Sequence, residues 1–102
     1  MVPEDFGTWD STSAISFYNV VDATPGATGL TITVYGTNNV QTYTSAATIQ
    51  NTAWTATNLT AANISGAYTP GSYMTIVFKM IGDSSKNIKL GDMILKYNRA
   101  GI

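Results

Sequence analysis

Two long runs of alternating apolar residues, joined by one polar segment, constrain the fold more than any other part of the chain. In residues 72–98, SYMTIVFKMIGDSSKNIKLGDMILKYN, the apolar residues of each run fall two apart. A period of two places them on one face of an extended strand. The Gly-Asp-Ser-Ser segment at 82–85 has the composition of a turn. This pattern predicts a β-hairpin with one apolar face.

The second run changes face at a glycine. Ile88 and Leu90 share one phase, and after Gly91 and Asp92 the alternation continues in the other phase at Met93, Leu95 and Tyr97. An extra residue in one strand of a pair produces such a shift. We therefore predict a β-bulge at Gly91-Asp92.

Shorter strand-like segments fill most of the remaining chain. Alternation recurs at 14–21 and 30–35, and turn residues separate the segments, including Pro-Gly pairs at 25–26 and 70–71. Seven or eight short strands spaced by ~8–12 residues are typical of an antiparallel β-sandwich. The predicted core consists of inward-facing strand residues: Ile15, Phe17, Leu30, Ile32, Val34, Ile76, Phe78, Met80 and Leu95.

The length of the chain and its first ten residues set the predicted domain division. A chain of 102 residues has the usual size of one domain and can bury a core without covalent staples. Residues 1–10 contain Phe6 and Trp9 but do not alternate. We predict an N-terminal arm or edge strand for residues 1–10 and a single β-sandwich domain for residues 11–102.

The residue types present argue against catalysis. The chain has no Cys and no His, which removes disulfides, the commonest catalytic base and the commonest zinc ligand. Its six acidic residues are scattered singly except for Glu4 and Asp5, so no pair of catalytic carboxylates is indicated. We expect a protein that is not an enzyme and needs no cofactor.

Charge and hydropathy limit the partners. The formal net charge is −1 and no two basic residues are adjacent, so a nucleic-acid partner is not expected. No apolar run is long enough to span a bilayer, and membrane insertion is not expected. Charged residues make up only 11% of the chain. A surface of Thr, Ser, Asn and Gly suits a domain that works outside cells or within a tightly packed assembly.

A series of motifs in the second half of the chain follows a known pattern. It comprises Trp54, the Asn-Leu-Thr triplet at 58–60, the Tyr-Thr-Pro-Gly turn at 68–71, the long strand at 74–80 and the closing Gly-Asp-Met-Ile-Leu at 91–95. This half resembles the galactose-binding-like jelly rolls, which include carbohydrate-binding modules and small β-domains on phage virions. The resemblance implies an all-β jelly-roll sandwich and says little about a ligand.

The resemblance also implies a structural calcium ion. Such domains bind it with an N-terminal acid and an acid near the last strand, which correspond to Glu4 and Asp92. Calcium takes six to eight oxygen ligands. The alternative is that both acids have ordinary roles in turns and caps.

Aromatic residues supply the candidate contacts with partners or glycans. Tyr18 and Tyr35 lie on the polar-side phase of strands and are predicted to be exposed, whereas Trp54 is phased with core residues. Phe6 and Trp9, near the start, are predicted to be anchors for a partner. The alternative for each aromatic is packing in the core or in an interface.

Two functions accommodate these features. The first is a virion structural protein, assembled in the host cytoplasm as a phage capsid decoration or fibre component. It would dock on capsid or fibre proteins, or on its own copies as a homo-oligomer, and contact cell-surface glycans. A start at Met1 with no signal peptide favours this expectation. The alternative is an extracellular carbohydrate-binding module of a secreted enzyme or adhesin.

Overall fold

The computed structural model describes residues 1–21, 29–45, 49–81 and 88–100. Within these ranges every strand pairing is antiparallel, and no helix is long and apolar enough to cross a membrane. The predicted all-β antiparallel fold with seven or eight short strands is confirmed. The described residues form eight strands and a 3-10 turn at Thr37–Asn39: β1 (Phe6–Trp9), β2 (Ile15–Val21), β3 (Gly29–Tyr35), β4 (Gln41–Thr44), β5 (Thr55–Leu59), β6 (Thr75–Ile81), β7 (Ile88–Leu95) and β8 (Tyr97–Arg99).

Two sheets form the sandwich, and the β1–β8 pair forms a third. Among the described strands one sheet has the order β5-β2-β7 and the other β4-β3-β6. Across the core, the ring of Phe17 on β2 meets the ring of Phe78 on β6 edge to face, with centroids 5.1 Å apart. The inward residues of the two central strands are fully buried, as predicted: Ile15 and Phe17 on β2, and Leu30, Ile32 and Val34 on β3.

The predicted hairpin of residues 72–98 is wrong in its pairing. β6 pairs with β3 and β7 pairs with β2, so the two alternating runs lie in different sheets. The predicted turn at 82–85 lies outside the described residues. Each run has an apolar face that needs cover, and the central strand of each sheet provides a neighbour that places this face toward the core. Alternation identified both strands without identifying their partners.

The predicted bulge is confirmed. Phe17 on β2 is opposite Met93 on β7, whereas Asn19 is opposite Leu90. Two steps along β2 therefore match three along β7, and the extra residue lies within Gly91-Asp92.

Met80 does not belong to the core, contrary to its prediction. Ile76, Phe78 and Leu95 are partly buried against the core cluster, but Met80 is 51% exposed. Met80 is opposite Leu30 on β3. Because β6 is an edge strand of its sheet as described, the far side of Met80 has no neighbouring strand to cover it.

The N-terminal residues form part of the folded domain rather than an unpaired arm. Strand β1 pairs with β8, and Val2 is fully buried. The Val2 N–H donates to the Ser72 carbonyl at 2.8 Å, and the Gly71 N–H donates to the Val2 carbonyl at 3.0 Å. Of the two alternatives, an edge strand describes Phe6–Trp9.

Candidate functional site

Two exposed aromatic side chains lie on the outer face of the β5-β2-β7 sheet. Trp54 immediately precedes β5, and Tyr18 lies within β2. Trp54 is 56% exposed and Tyr18 is 45% exposed. Tyr18 faces outward because side chains alternate along a strand and its neighbours Phe17 and Asn19 are buried. We call Trp54, Tyr18 and the Gly91 backbone beside them the aromatic shelf.

The bulge glycine leaves room for the shelf. A Cβ at Gly91 would lie 3.2 Å from Cζ3 and 3.7 Å from Cη2 of Trp54, and 3.3 Å from Cβ of Tyr18. The six-membered ring of Trp54 therefore packs against the backbone of Gly91, with Tyr18 beside it. A side chain at this position would compete with the indole for the same space.

Exposed polar side chains lie on the same sheet as the shelf. Asp92 is exposed and follows Gly91 in the bulge. Two residues before Tyr18, the hydroxyl of Ser16 donates a hydrogen bond to the side-chain oxygen of Asn58 on β5. Lys89 is exposed and opposite Val20, two residues after Tyr18. The shelf thus combines flat apolar surface with hydrogen-bonding groups.

A buried amide behind the shelf ties β2 to β5. Asn19 is fully buried, and its Nδ2 donates to Thr57 Oγ1 at 2.9 Å and to the Thr55 carbonyl at 3.3 Å. Its Oδ1 accepts a hydrogen bond from Asn51 Nδ2 at 2.6 Å. These bonds hold the segment that leads from Asn51 to Trp54, and a satisfied buried amide makes such an arrangement specific. Sequence analysis missed Asn19, although it shares the phase of Ile15 and Phe17.

A second concave surface lies between the β3–β4 turn and the segment before β6. This cleft has a volume of about 390 Å³. Tyr73 at its side is 81% exposed, and the backbone at Asn38 and Asn39 is left-handed, with φ of 62° and 60°. The other lining residues are small or neutral: Gly36, Thr37, Ser72 and Thr75.

The predicted exposed tyrosines differ in the structure. Tyr18 is exposed, as its strand phase indicated, whereas Tyr35 is only partly exposed between Gln41 and Thr75. The placement of Trp54 in the core is wrong. Trp54 precedes the first paired residue of β5, so the alternation of that strand does not determine its orientation.

Phe6 and Trp9 cannot act as exposed anchors, contrary to their prediction. Both are buried, and their rings meet at an angle of 62° with centroids 4.9 Å apart. Trp9 also packs edge-on against Tyr68 at 5.2 Å, and Phe6 lies 6.0 Å from the ring of Tyr97. We call Phe6, Trp9, Tyr68 and Tyr97 the aromatic end. Their own domain buries these side chains, which removes the predicted partner contact.

The structure adds no support for a calcium site. Glu4 lies beside the 69–72 turn, where a Cβ at Gly71 would be 2.9 Å from Glu4 Oε1. Asp92 lies in the bulge beside the shelf. In the described part of the chain no three His, Cys, Asp or Glu residues form a group suited to a metal ion. The pairing of Glu4 with Asp92 stays a prediction.

The shifted titrating groups outside the shelf have structural causes. Hydrogen bonds from the Ser13 and Thr12 N–H groups lower the pKa of Asp10, just after β1. The hydrogen bond that Tyr97 donates to Asp5 Oδ1 at 2.7 Å raises the pKa of the Tyr97 phenol. These bonds fix the β1–β8 pair and the turn that follows β1.

Comparisons with known proteins identify no relative. No protein-family model matches the chain, and neither the curated proteins nor the solved structures contain a match.

Proposed function

We propose that this chain is a non-catalytic structural protein of a virus particle, either a capsid decoration or a fibre component. It docks through the apolar edges of its sandwich. The jelly-roll type of the galactose-binding-like domains is part of this proposal. The observation that carries it is a set of exposed apolar side chains on two edge strands, which we call the docking edge: Val77, Met80, Met93 and Ile94.

The docking edge combines free strands with apolar surface. Its four side chains are between 44% and 51% exposed. Within the described residues β6 has β3 as its one neighbour and β7 has β2. Exposed apolar side chains on an edge strand are a place where another chain can pack.

Side-chain packing carries this contact more than strand addition. The bulge at Gly91-Asp92 disrupts a continuous ladder along β7, and Lys79 and Lys89 lie on the two edge strands. The low overall charge of the chain supports burial in an assembly, because charged residues are depleted from interface cores. Neighbouring capsid or fibre subunits, including other copies of this chain, are the partners. Many copies provide avidity even where each contact is weak.

The test places charge on the docking edge. A variant with Met80→Glu and Met93→Glu should keep its melting temperature, because both side chains are half exposed. We expect it to lose incorporation when it is co-expressed with the other structural proteins of the particle. Val40→Glu is the matched control, since Val40 is 60% exposed and lies outside β6 and β7. Normal incorporation of the double variant would contradict docking by this edge.

The aromatic shelf favours a second candidate function, that of a carbohydrate-binding module in an extracellular enzyme or adhesin. Such a module would bind a glycan as a monomer, and the double variant of the docking edge would leave its binding unchanged. Both candidates are non-catalytic. Assays on glycan and ester substrates should therefore show no turnover above buffer, and turnover that one carboxylate substitution abolishes would contradict both.

A further inference from the structure

We propose that the aromatic shelf binds the apolar face of a neutral pyranose, and that Gly91 is the positioning residue for the indole of Trp54. The inference rests on the glycan contact proposed above and does not depend on docking to a particle. It names a ligand class and a site: one sugar ring lying on Trp54 and Tyr18.

The form of the shelf suits a sugar ring. A pyranose has a flat face of C–H groups and a rim of hydroxyl groups, so it needs an aromatic surface with polar groups at its edge. Trp54 provides the aromatic surface, held against the Gly91 backbone, and the exposed Tyr18 begins beside it, with its Cβ 3.3 Å from the position of a Cβ on Gly91. Aromatic side chains supply a large apolar area with few rotatable bonds, which keeps the entropic cost of binding low.

The polar groups suit hydroxyl groups that donate and accept. The Asp92 carboxylate accepts, the Lys89 ammonium donates, and the Asn58 amide does both. The two charges are opposite in sign, so the surroundings of the shelf do not select an anionic ligand. A phosphorylated or acidic ligand would need several basic groups together. A neutral sugar fits this balance.

Gly91 links the fold to recognition. Atoms of Trp54 and Tyr18 lie 3.2 and 3.3 Å from the position of a Cβ on Gly91. The Tyr18 atom is its Cβ, which the backbone fixes, so Gly91→Ala should shift the indole of Trp54 by a few tenths of an ångström while it keeps both rings in the protein. A loss of binding in this variant would show that the position of the rings matters and not their presence alone.

The experiment titrates the full chain with soluble hexasaccharides of glucose, xylose, mannose and galactose, and with an oligogalacturonate as the acidic comparison. The readouts are tryptophan fluorescence and amide chemical shifts. Trp54 is the exposed tryptophan and Trp9 is 7% exposed, so a change in accessible emission reports on the shelf. We expect at least one neutral hexasaccharide to bind.

Variants then locate the site. Trp54→Ala and Tyr18→Ala should each weaken binding about tenfold, and Gly91→Ala by about threefold to tenfold. Tyr73→Ala is the matched control, because Tyr73 is an exposed aromatic in the cleft outside the shelf. It should bind like the unaltered chain. Trp54→Phe keeps an aromatic ring and should give an intermediate loss of binding affinity. It takes the place of Trp54→Ala as the test if the alanine variant folds poorly.

Four outcomes would overturn the proposal. They are no binding of any neutral hexasaccharide up to about 10 mM, tighter binding of the oligogalacturonate, binding lost in Tyr73→Ala and kept in Trp54→Ala, and a change of oligomeric state in Trp54→Ala by sedimentation. The third would move the glycan site to the cleft, and the fourth would make the shelf a protein contact. All four leave the incorporation test of the docking edge unaffected.

Discussion

Trp9 and Trp54 occupy opposite environments in the same sandwich. Trp9 is 7% exposed and packs edge-on between Phe6 and Tyr68. Trp54 is 56% exposed and packs against the backbone of Gly91. The first is surrounded by side chains from other segments, and the second has protein on one side only.

The difference lies in what covers each ring. The β1–β8 pair and Tyr68 enclose Trp9, and this enclosure leaves Trp9 Nε1 buried without a hydrogen-bond partner in the described part of the chain. An unpaired buried donor has a free-energy cost, so the apolar packing at the aromatic end must exceed it. Trp54 has no such constraint. One tryptophan therefore stabilises the fold and the other is available to a ligand.

Truncation of each tryptophan gives the largest expected contrast. Trp9→Ala should lower the free energy of unfolding by about 3–5 kcal/mol, because it leaves a cavity among packed rings. Trp54→Ala should change it by about 0.5 kcal/mol or less, as for most surface substitutions. Equilibrium unfolding in urea measures both values.

Trp9→Phe separates packing from the unpaired donor. It keeps an aromatic ring and removes Nε1, so it should lower the free energy of unfolding clearly less than Trp9→Ala does. If Trp54→Ala lowers the free energy of unfolding as much as Trp9→Ala does, the two tryptophans do not differ in their role and the shelf is a structural element.

Two glycine substitutions, one in the β1–β8 pair and one beside Trp54, should give a smaller difference in the free energy of unfolding. A Cβ at Gly7 would lie 2.7 Å from the Asn98 carbonyl oxygen and 3.0 Å from the Ala100 nitrogen, both backbone atoms. Gly7→Ala should therefore separate β1 from β8 and cost about 1–3 kcal/mol. Gly91→Ala meets ring atoms of Trp54, which can move, and Tyr18 Cβ at 3.3 Å, and it should cost less than about 1 kcal/mol. The same urea measurement tests this order, and a larger cost for Gly91→Ala would mean that Trp54 is held rigidly.

Sequence alternation predicted the centre of the molecule well. The five inward residues of β2 and β3 follow a strict period of two, and burial on one face requires that period. The bulge at Gly91-Asp92 was also visible, because a change of phase at a glycine leaves a direct trace in the sequence. These features depend on residues close together in the chain.

Features that depend on distant segments could not be predicted in this way. Alternation does not say which strand lies beside β6 or β7, and both pair with strands from the first third of the chain. Phe6 and Trp9 looked unpartnered because Tyr68, which covers them, is far away in sequence. Of the two shelf aromatics, only Tyr18 was predicted to be exposed, since the orientation of Trp54 depends on the space above Gly91.

The smallest expected effect concerns Tyr68 and depends on pH. The Tyr68 hydroxyl donates to the Ile64 carbonyl at 2.7 Å and is hydrogen-bonded to Thr42 Oγ1, also at 2.7 Å. Burial raises the pKa of this phenol, and the hydrogen bond with Thr42 partly opposes the rise. The folded state thus favours the neutral form, whereas in the unfolded chain a tyrosine ionises near its ordinary pKa of about 10.

The stability that Tyr68 contributes should therefore be complete below about pH 10 and be lost as pH rises toward the higher pKa of the folded state. Tyr68→Phe should cost about 1 kcal/mol at neutral pH through its lost hydrogen bonds, yet show a shallower decline in alkali. Urea unfolding of both proteins from about pH 7 to about pH 11 tests this sign. All other titrating groups are common to the two proteins, so the difference isolates Tyr68. If the stability curves of the two proteins run parallel above about pH 9, the Tyr68 hydroxyl is open to water in the folded state. The aromatic end would then differ less from the shelf than the burial of Trp9 indicates.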